Sequence, residues 1–77
     1  MDAWLTAAAD KLHESFGVSR DRIEIPQWDE QALLTVARVA SHQSGARTNA
    51  PLLCYMLGFA AGQVNVDIQR LAQLFPE

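Results

Sequence analysis

The chain has 77 residues, of which 49% are hydrophobic and 19% charged, a composition typical of one small folded domain. A chain of this length buries only about 60% of the surface that its unfolded form exposes, which leaves little room for an enclosed active site. The net charge is −3 and no basic block is present, which argues against nucleic acid as a partner.

Cysteine content and hydropathy indicate the compartment. The single cysteine, Cys54, lies in an apolar stretch and has no partner for an internal disulfide. No basic region precedes the first apolar residues, and the longest uncharged span, residues 48–66, is interrupted by polar side chains. We therefore expect a cytoplasmic protein that does not enter a membrane.

The first predicted element is an amphipathic helix that ends at Phe16. Asp2 is placed to cap its start, and Gly17 suits the left-handed position after its last turn, with Val18 able to fold back on Leu12. Its apolar residues recur at helical spacing and form one inward stripe. They are Trp4, Leu5, Ala8, Leu12 and Phe16.

The segment from Ser19 to Pro26 leaves alternatives open. Ser19 can cap a single helical turn, whereas Ile23 and Ile25 alternate with Glu24 as in a strand. No second strand is present in the chain, so we interpret the segment as a connector held to the core by the two isoleucines. A strand pairing between two chains remains the alternative.

A second helix is predicted from Gln27 to Ser44. Asp29 and Glu30 lie in its first turn, where they complement the helix dipole, and Gly45 follows its last turn. Its apolar residues cover more than one stripe, which indicates burial against two neighbours. The remaining polar strip consists of Gln31, Thr35, Arg38 and His42.

The third predicted helix, residues 51–64, is apolar on every side, so we expect it to be the central helix. Within it Cys54, Gly58 and Gly62 recur at intervals of four and form a groove of small residues that another helix can approach closely. Asn65 or Asp67 caps a short last helix. The predicted fold is a compact all-α four-helix bundle with an apolar central third helix, in a single domain of residues 1–77.

No pattern in the chain indicates catalysis or a metal. His13, His42 and Cys54 include no closely spaced pair of ligands, and no phosphate-binding loop or nucleophile motif is present. Cys54 lies among apolar neighbours that do not favour a thiolate. We expect no enzyme activity, no catalytic residues and no cofactor.

The first functional hypothesis is therefore protein binding or self-association. The chain has a large excess of apolar residues for its size, and the candidate contact residues are Trp28 at the head of the second helix and the groove of Cys54, Gly58 and Gly62. Core packing is the competing interpretation of Trp28 and of Cys54.

The second hypothesis is a small anion-binding site. Arg38 and His42 lie one turn apart near the end of the second helix, and Arg47 precedes Thr48 and Asn49 at the start of the third. Free N–H groups at a helix start and nearby guanidinium groups favour a phosphate-bearing small molecule. In the competing interpretation these residues only cap helices and pair with surface acids.

A family resemblance involves the same region. The run Ala37–His42, then Arg47, then Ala50–Leu52 leading into Leu57–Gly62, together with Trp4–Leu5, resembles a small bacterial domain of unknown function. Similar segments form a C-terminal extension of molybdenum cofactor guanylyltransferases or are encoded near molybdenum cofactor genes. The resemblance implies an accessory or regulatory part in molybdopterin guanine dinucleotide formation, without the transferase chemistry itself.

Overall fold

The computed structural model describes residues 1–77 and contains helices without any strand. The predicted all-α class is therefore confirmed. In chain order the helices are α1 (Ala3–Phe16), α2 (Arg20–Ile23), α3 (Gln27–Ser44), α4 (Asn49–Val64) and α5 (Ile68–Ala72).

Polar caps and left-handed residues set the ends of the longer helices. Asp2 accepts a hydrogen bond from the Leu5 N–H at 2.8 Å, and Asp67 accepts one from the Arg70 N–H at the same distance. Asp67 is thus the cap of α5, whereas Asn65 ends α4 with a φ of 55°. Gly17 and Gly45 end α1 and α3 with φ of 69° and 72°, a conformation that glycine adopts without strain.

A fifth helix replaces part of the predicted connector. Arg20–Ile23 forms one helical turn, and Arg20 pairs with Asp10 of α1 and with Glu24, whose Oε2 atom lies 3.2 Å from the Arg20 Nη2 atom. The four-helix count is corrected to five for this reason. No strand forms at Ile23 or Ile25, and both side chains are half-buried, as expected for residues that hold a connector to the core.

The core is centred on α3 rather than on α4. Val36, Val39 and Ala40 of α3 are buried, and α3 packs on α4 and approaches α5 more extensively than α4 does. Leu57 of α4 and Ala9 of α1 complete the buried set, which comprises five of the 77 residues. A core this thin gives the chain a marginal reserve of stability.

The sequence predicts that the apolar third helix, which corresponds to α4, is buried on every side. This prediction is wrong for the side of α4 that faces away from α3. The inner side of α4 carries Leu57 and packs against α3, but the opposite side is open to solvent. The reason is that α3 and α5 together cover α4 from one direction, and neither α1 nor α2 approaches its backbone closely. The exposed residues of α4 include Leu52, Tyr55, Met56 and Phe59, with 60% to 71% of each accessible.

Candidate functional site

A groove of about 960 Å³ lies on the surface beside α4. Its α4 side consists largely of small residues, Cys54, Gly58 and Gly62, and its other side contains Ile23 and Ile25 from α2 and the following connector. The groove of small residues predicted from the sequence is therefore present and accessible. We call this depression the α4 groove.

The two glycines keep the α4 groove open. A Cβ atom built on Gly58 would meet nothing within 4 Å, and one on Gly62 would meet only the Arg22 Nη2 atom, at 3.8 Å. Neither glycine has a positive φ, so neither is required by the backbone conformation. Each costs about 1 kcal/mol of helix propensity relative to alanine. No contact or backbone conformation within the chain requires either glycine.

Charged side chains around the α4 groove are predominantly acidic. Four carboxylates and one guanidinium line the groove, and because only one of the carboxylates, Glu24, is paired with a cation outside the lining, Arg20, the groove keeps a net negative charge. They are Asp21, Glu24, Asp29, Asp67 and Arg22. An occupant with an apolar surface and basic flanks is complementary to this arrangement.

Cys54 has the properties of a packed thiol. Its side chain is partly buried, and its Sγ–H donates a weak hydrogen bond to the Leu33 carbonyl oxygen at 3.7 Å. Burial raises the pKa of the Cys54 thiol, so the reactive thiolate is disfavoured at neutral pH. Cys54 therefore contributes shape to the α4 groove rather than nucleophilicity.

Trp28 does not belong to the α4 groove. It lies in the first turn of α3 with 63% of its surface exposed. The structure thus brings together three of the four predicted partner-binding residues, and it leaves Trp28 as a separate exposed aromatic side chain.

The residues of the predicted anion site lie in two places. Arg38 forms an ion pair with Glu77, and these two residues line a shallow depression of about 400 Å³ with His42 and Gln43. Neither Arg47 nor Thr48 lines that depression. The C-terminal segment is held there also by the Gln43 side-chain amide, which donates to the Pro76 carbonyl oxygen at 3.2 Å.

The start of α4 differs from an open anion-binding helix end. The Asn49 N–H donates to the Ala46 carbonyl oxygen at 3.1 Å, and the Ala50 N–H donates to that of Arg47 at 3.1 Å. Two amide groups expected to be free for an anion are thus already satisfied. Thr48 makes no side-chain capping bond, so the competing interpretation of Thr48 as a cap does not describe it either.

Sequence reasoning missed one surface, the outer face of α4, which we define as Leu52, Tyr55, Met56 and Phe59. These residues lie at i, i+3, i+4 and i+7 on one side of the helix, and the rings of Tyr55 and Phe59 stack with centroids 6.3 Å apart. From the sequence alone, the lack of charge in α4 predicts burial within the chain. The same lack of charge is typical of a helix that is covered by another molecule.

No group of three or more His, Cys, Asp or Glu side chains is arranged to hold a metal ion. No helix combines the length and the apolar character needed to cross a bilayer.

Comparison with known proteins gives one match. Residues 1–76 match the model of a family described as a domain of unknown function, DUF6457. No curated protein and no solved structure shows a significant match.

Proposed function

We propose that this chain, which belongs to the DUF6457 family, is a non-enzymatic helical module that binds an amphipathic helix of a partner protein in the α4 groove. The observation that carries the proposal is the pair of glycines, Gly58 and Gly62. They lie on an exposed side of α4 and destabilise the free helix, but they allow a second helix to approach closely.

The chemistry of the partner follows from the lining of the α4 groove. Apolar side chains of Ile23, Ile25 and Phe59 offer contacts for the apolar face of a helix. The excess of carboxylates around them favours lysine or arginine on the flanks of that helix and disfavours an acidic one. The proposed partner is therefore a basic amphipathic helix.

A finer proposal concerns the pathway. The resemblance of residues 37–62 to segments attached to molybdenum cofactor guanylyltransferases supports an enzyme of molybdenum cofactor biosynthesis as the partner. In that setting the module acts by contact with the enzyme and carries no chemistry of its own. The raised pKa of the Cys54 thiol, the nucleophile that the sequence offers, is consistent with this role.

An NMR titration with two synthetic peptides tests helix binding. The first peptide is an amphipathic helix with leucine on one face and lysine on its flanks, and the second replaces each lysine by glutamate. We expect the basic peptide to shift the backbone amide signals of Ile23, Cys54, Gly58 and Gly62, and the acidic peptide to leave them unchanged. Equal response to both peptides, or no response to either, contradicts the proposal.

A matched pair of variants locates the binding site. Gly58→Leu places a side chain in the open space of the α4 groove, whereas Gln31→Leu adds the same side chain on the exposed side of α3. We expect Gly58→Leu to weaken binding of the basic peptide by more than about tenfold. Gln31→Leu should bind like the unmodified chain. The cofactor link is tested separately by mixing the chain with a purified molybdenum cofactor guanylyltransferase and measuring complex formation.

The second candidate is a small anion-binding domain that uses Arg38, His42 and Arg47. The observation that favours it is the pairing of Arg38 with a carboxylate of Glu77, since a position that holds one oxyanion can hold another. On this account Glu77→Gln strengthens binding of GTP or a pterin phosphate, because it removes the competing carboxylate. Titration of that variant without shifts at Arg38 or Arg47 contradicts the anion site.

A further inference from the structure

We propose that a second copy of this chain covers the outer face of α4, and that the two copies form an antiparallel dimer in which their α4 helices pack together. The face is Leu52, Tyr55, Met56 and Phe59, as defined above. The proposal does not rest on helix binding in the α4 groove, which lies on the neighbouring side of the same helix and has Phe59 in common with the face.

The outer face has the composition of an interface rather than of a free surface. Its four large apolar side chains are 60% to 71% exposed, and they lie opposite Leu57, the buried residue of the helix. No charged residue is present anywhere in Asn49–Val64. A helix that keeps one side in water normally carries charged residues there, as α3 does with Arg38.

The total surface of the chain indicates that it is incompletely covered. Its accessible surface is 5875 Å², whereas a compact monomer of 8.5 kDa exposes about 4,700 Å². Small chains with thin cores commonly gain stability by association. A dimer that covers the outer face of α4 removes part of this excess and thickens a core of five residues.

The area of the face, if it is fully covered, reaches the lower limit for a specific dimer. At roughly 200 Å² for each large side chain, the exposed fractions amount to about 500 Å² per chain. A symmetric pair then buries about 1,000 Å², which is the lower limit for a specific interface. We therefore expect a dimer that dissociates on dilution rather than a permanent one.

The spacing of the face is self-complementary. In an antiparallel pair with a two-fold axis between Tyr55 and Met56, Leu52 of one copy lies opposite Phe59 of the other. Tyr55 then lies beside Met56 of the second copy. The exposed residues one turn beyond each end of the face are polar, Thr48 and Gln63, and they also come opposite each other. This gives the apolar centre and polar rim of a closed interface.

A second copy fits the face better than a charged partner does. The acidic α4 groove selects a basic occupant, but the outer face has no charge with which to recognise one. Two identical apolar faces need no charge complementarity, because burial of apolar area drives their association. The two surfaces of α4 thus favour different occupants.

Sedimentation equilibrium of three chains tests the dimer. We expect the unmodified chain to change from monomer to dimer over about a thousandfold range of concentration. Met56→Lys should weaken association by more than about tenfold, because the dimer would bury an unpaired charge at its axis. Thr35→Lys, which adds the same charge on the exposed side of α3, should associate like the unmodified chain. Circular dichroism of each variant verifies that it is folded.

Mixing two variants tests the two-fold axis. Residue 56 of one copy lies near residue 56 of the other in the proposed dimer, so Met56→Lys and Met56→Glu should each remain monomeric alone. An equimolar mixture should regain dimers, because the opposite charges then meet. A mixture that remains monomeric contradicts antiparallel pairing at this axis.

Other outcomes identify other surfaces and overturn the proposal. A dimer that survives Met56→Lys but is lost in Leu12→Lys is formed by the partly exposed apolar stripe of α1. If the chain remains monomeric at every concentration, no second copy covers the outer face, and the proposal is wrong.

Discussion

The two longest helices of this protein, α3 and α4, present different outer faces to solvent. The outer face of α3 carries Gln31, Thr35, Arg38 and His42, although Trp28 and Leu34 of the same helix are also exposed. The outer face of α4 consists of large apolar side chains with no charged residue among them. Both helices bury their other side against each other and against α5. The same core thus supports one helix that is adapted to water on its outside and another that is not. We infer that the outer face of α3 remains in contact with solvent, whereas the outer face of α4 is an interface with another chain.

The largest change in the free energy of unfolding is expected from a substitution on the inner face of α4, and a much smaller change from one on its outer face. Leu57→Ala should lower the free energy of unfolding by about 3 kcal/mol, since it leaves a cavity beside α3. Leu52→Ala should change the stability of the monomer by less than about 0.5 kcal/mol, because the side chain is already exposed. Urea denaturation at low protein concentration measures both. Equal losses would mean that the outer face is packed within the chain.

Substitution of Gly45 in the α3 cap and of Gly58 in α4 should change the stability of the chain in opposite directions. Gly45→Ala should destabilise the chain by about 1 kcal/mol, because its φ of 72° is strained for alanine. Gly58→Ala should stabilise the free chain by about 1 kcal/mol, since it lies in a helix with open space at the Cβ position. Thermal unfolding of the two variants at equal concentration gives the difference. A destabilised Gly58→Ala chain would mean that this glycine is needed for folding.

The reactivity of the Cys54 thiol measures burial in the α4 groove, which lies between the inner side of α4 and its outer face. Because burial raises the pKa of Cys54, the folded state holds the thiol proton more tightly than the unfolded state does. The free energy of unfolding is therefore unaffected by ionisation of this group at neutral pH. It decreases as the pH rises above the ordinary pKa of a thiol, because the unfolded chain then loses the proton before the folded chain does. Alkylation of the native chain should therefore be several times slower near pH 8 than alkylation of the chain in urea. Equal rates would contradict burial at this position.

The smallest effect is expected on the outer face of α3. Arg38 and Glu77 are both more than half exposed, so their ion pair should contribute less than about 0.5 kcal/mol. Glu77→Gln should accordingly leave the urea midpoint almost unchanged at physiological salt. A loss of more than about 1 kcal/mol would show that the C-terminal segment is a structural part of this face.

Local signals in the sequence predict most of the helix ends. Asp2, Gly17 and Gly45 each act at the position where capping chemistry places them, because the bonds they make involve residues within one turn. The choice between Asn65 and Asp67 needed the structure, since both residue types end or begin helices. At the turn Arg20–Ile23, Arg20 pairs with Asp10, which lies ten residues away in sequence, so that contact between α2 and α1 could not be predicted from local signals.

The position of α4 could not be predicted from its composition. An apolar helix is buried either by its own chain or by another molecule, and the hydrophobic pattern is the same in both cases. The four-residue interval of Cys54, Gly58 and Gly62 did predict the α4 groove, because residues at that spacing share one side of any helix. The spacing of Leu52, Tyr55, Met56 and Phe59 carried the same kind of information about the outer face.

In the proposed dimer the outer face of α4 contacts the same face of a second copy of the chain. An isotope-filtered nuclear Overhauser experiment tests this contact on an equimolar mixture of labelled and unlabelled protein at high concentration. We expect cross-peaks between the Leu52 methyl groups of one chain and the Phe59 ring of the other, which antiparallel α4 helices bring together. Absence of these cross-peaks from a sample that sedimentation shows to be dimeric would contradict the account.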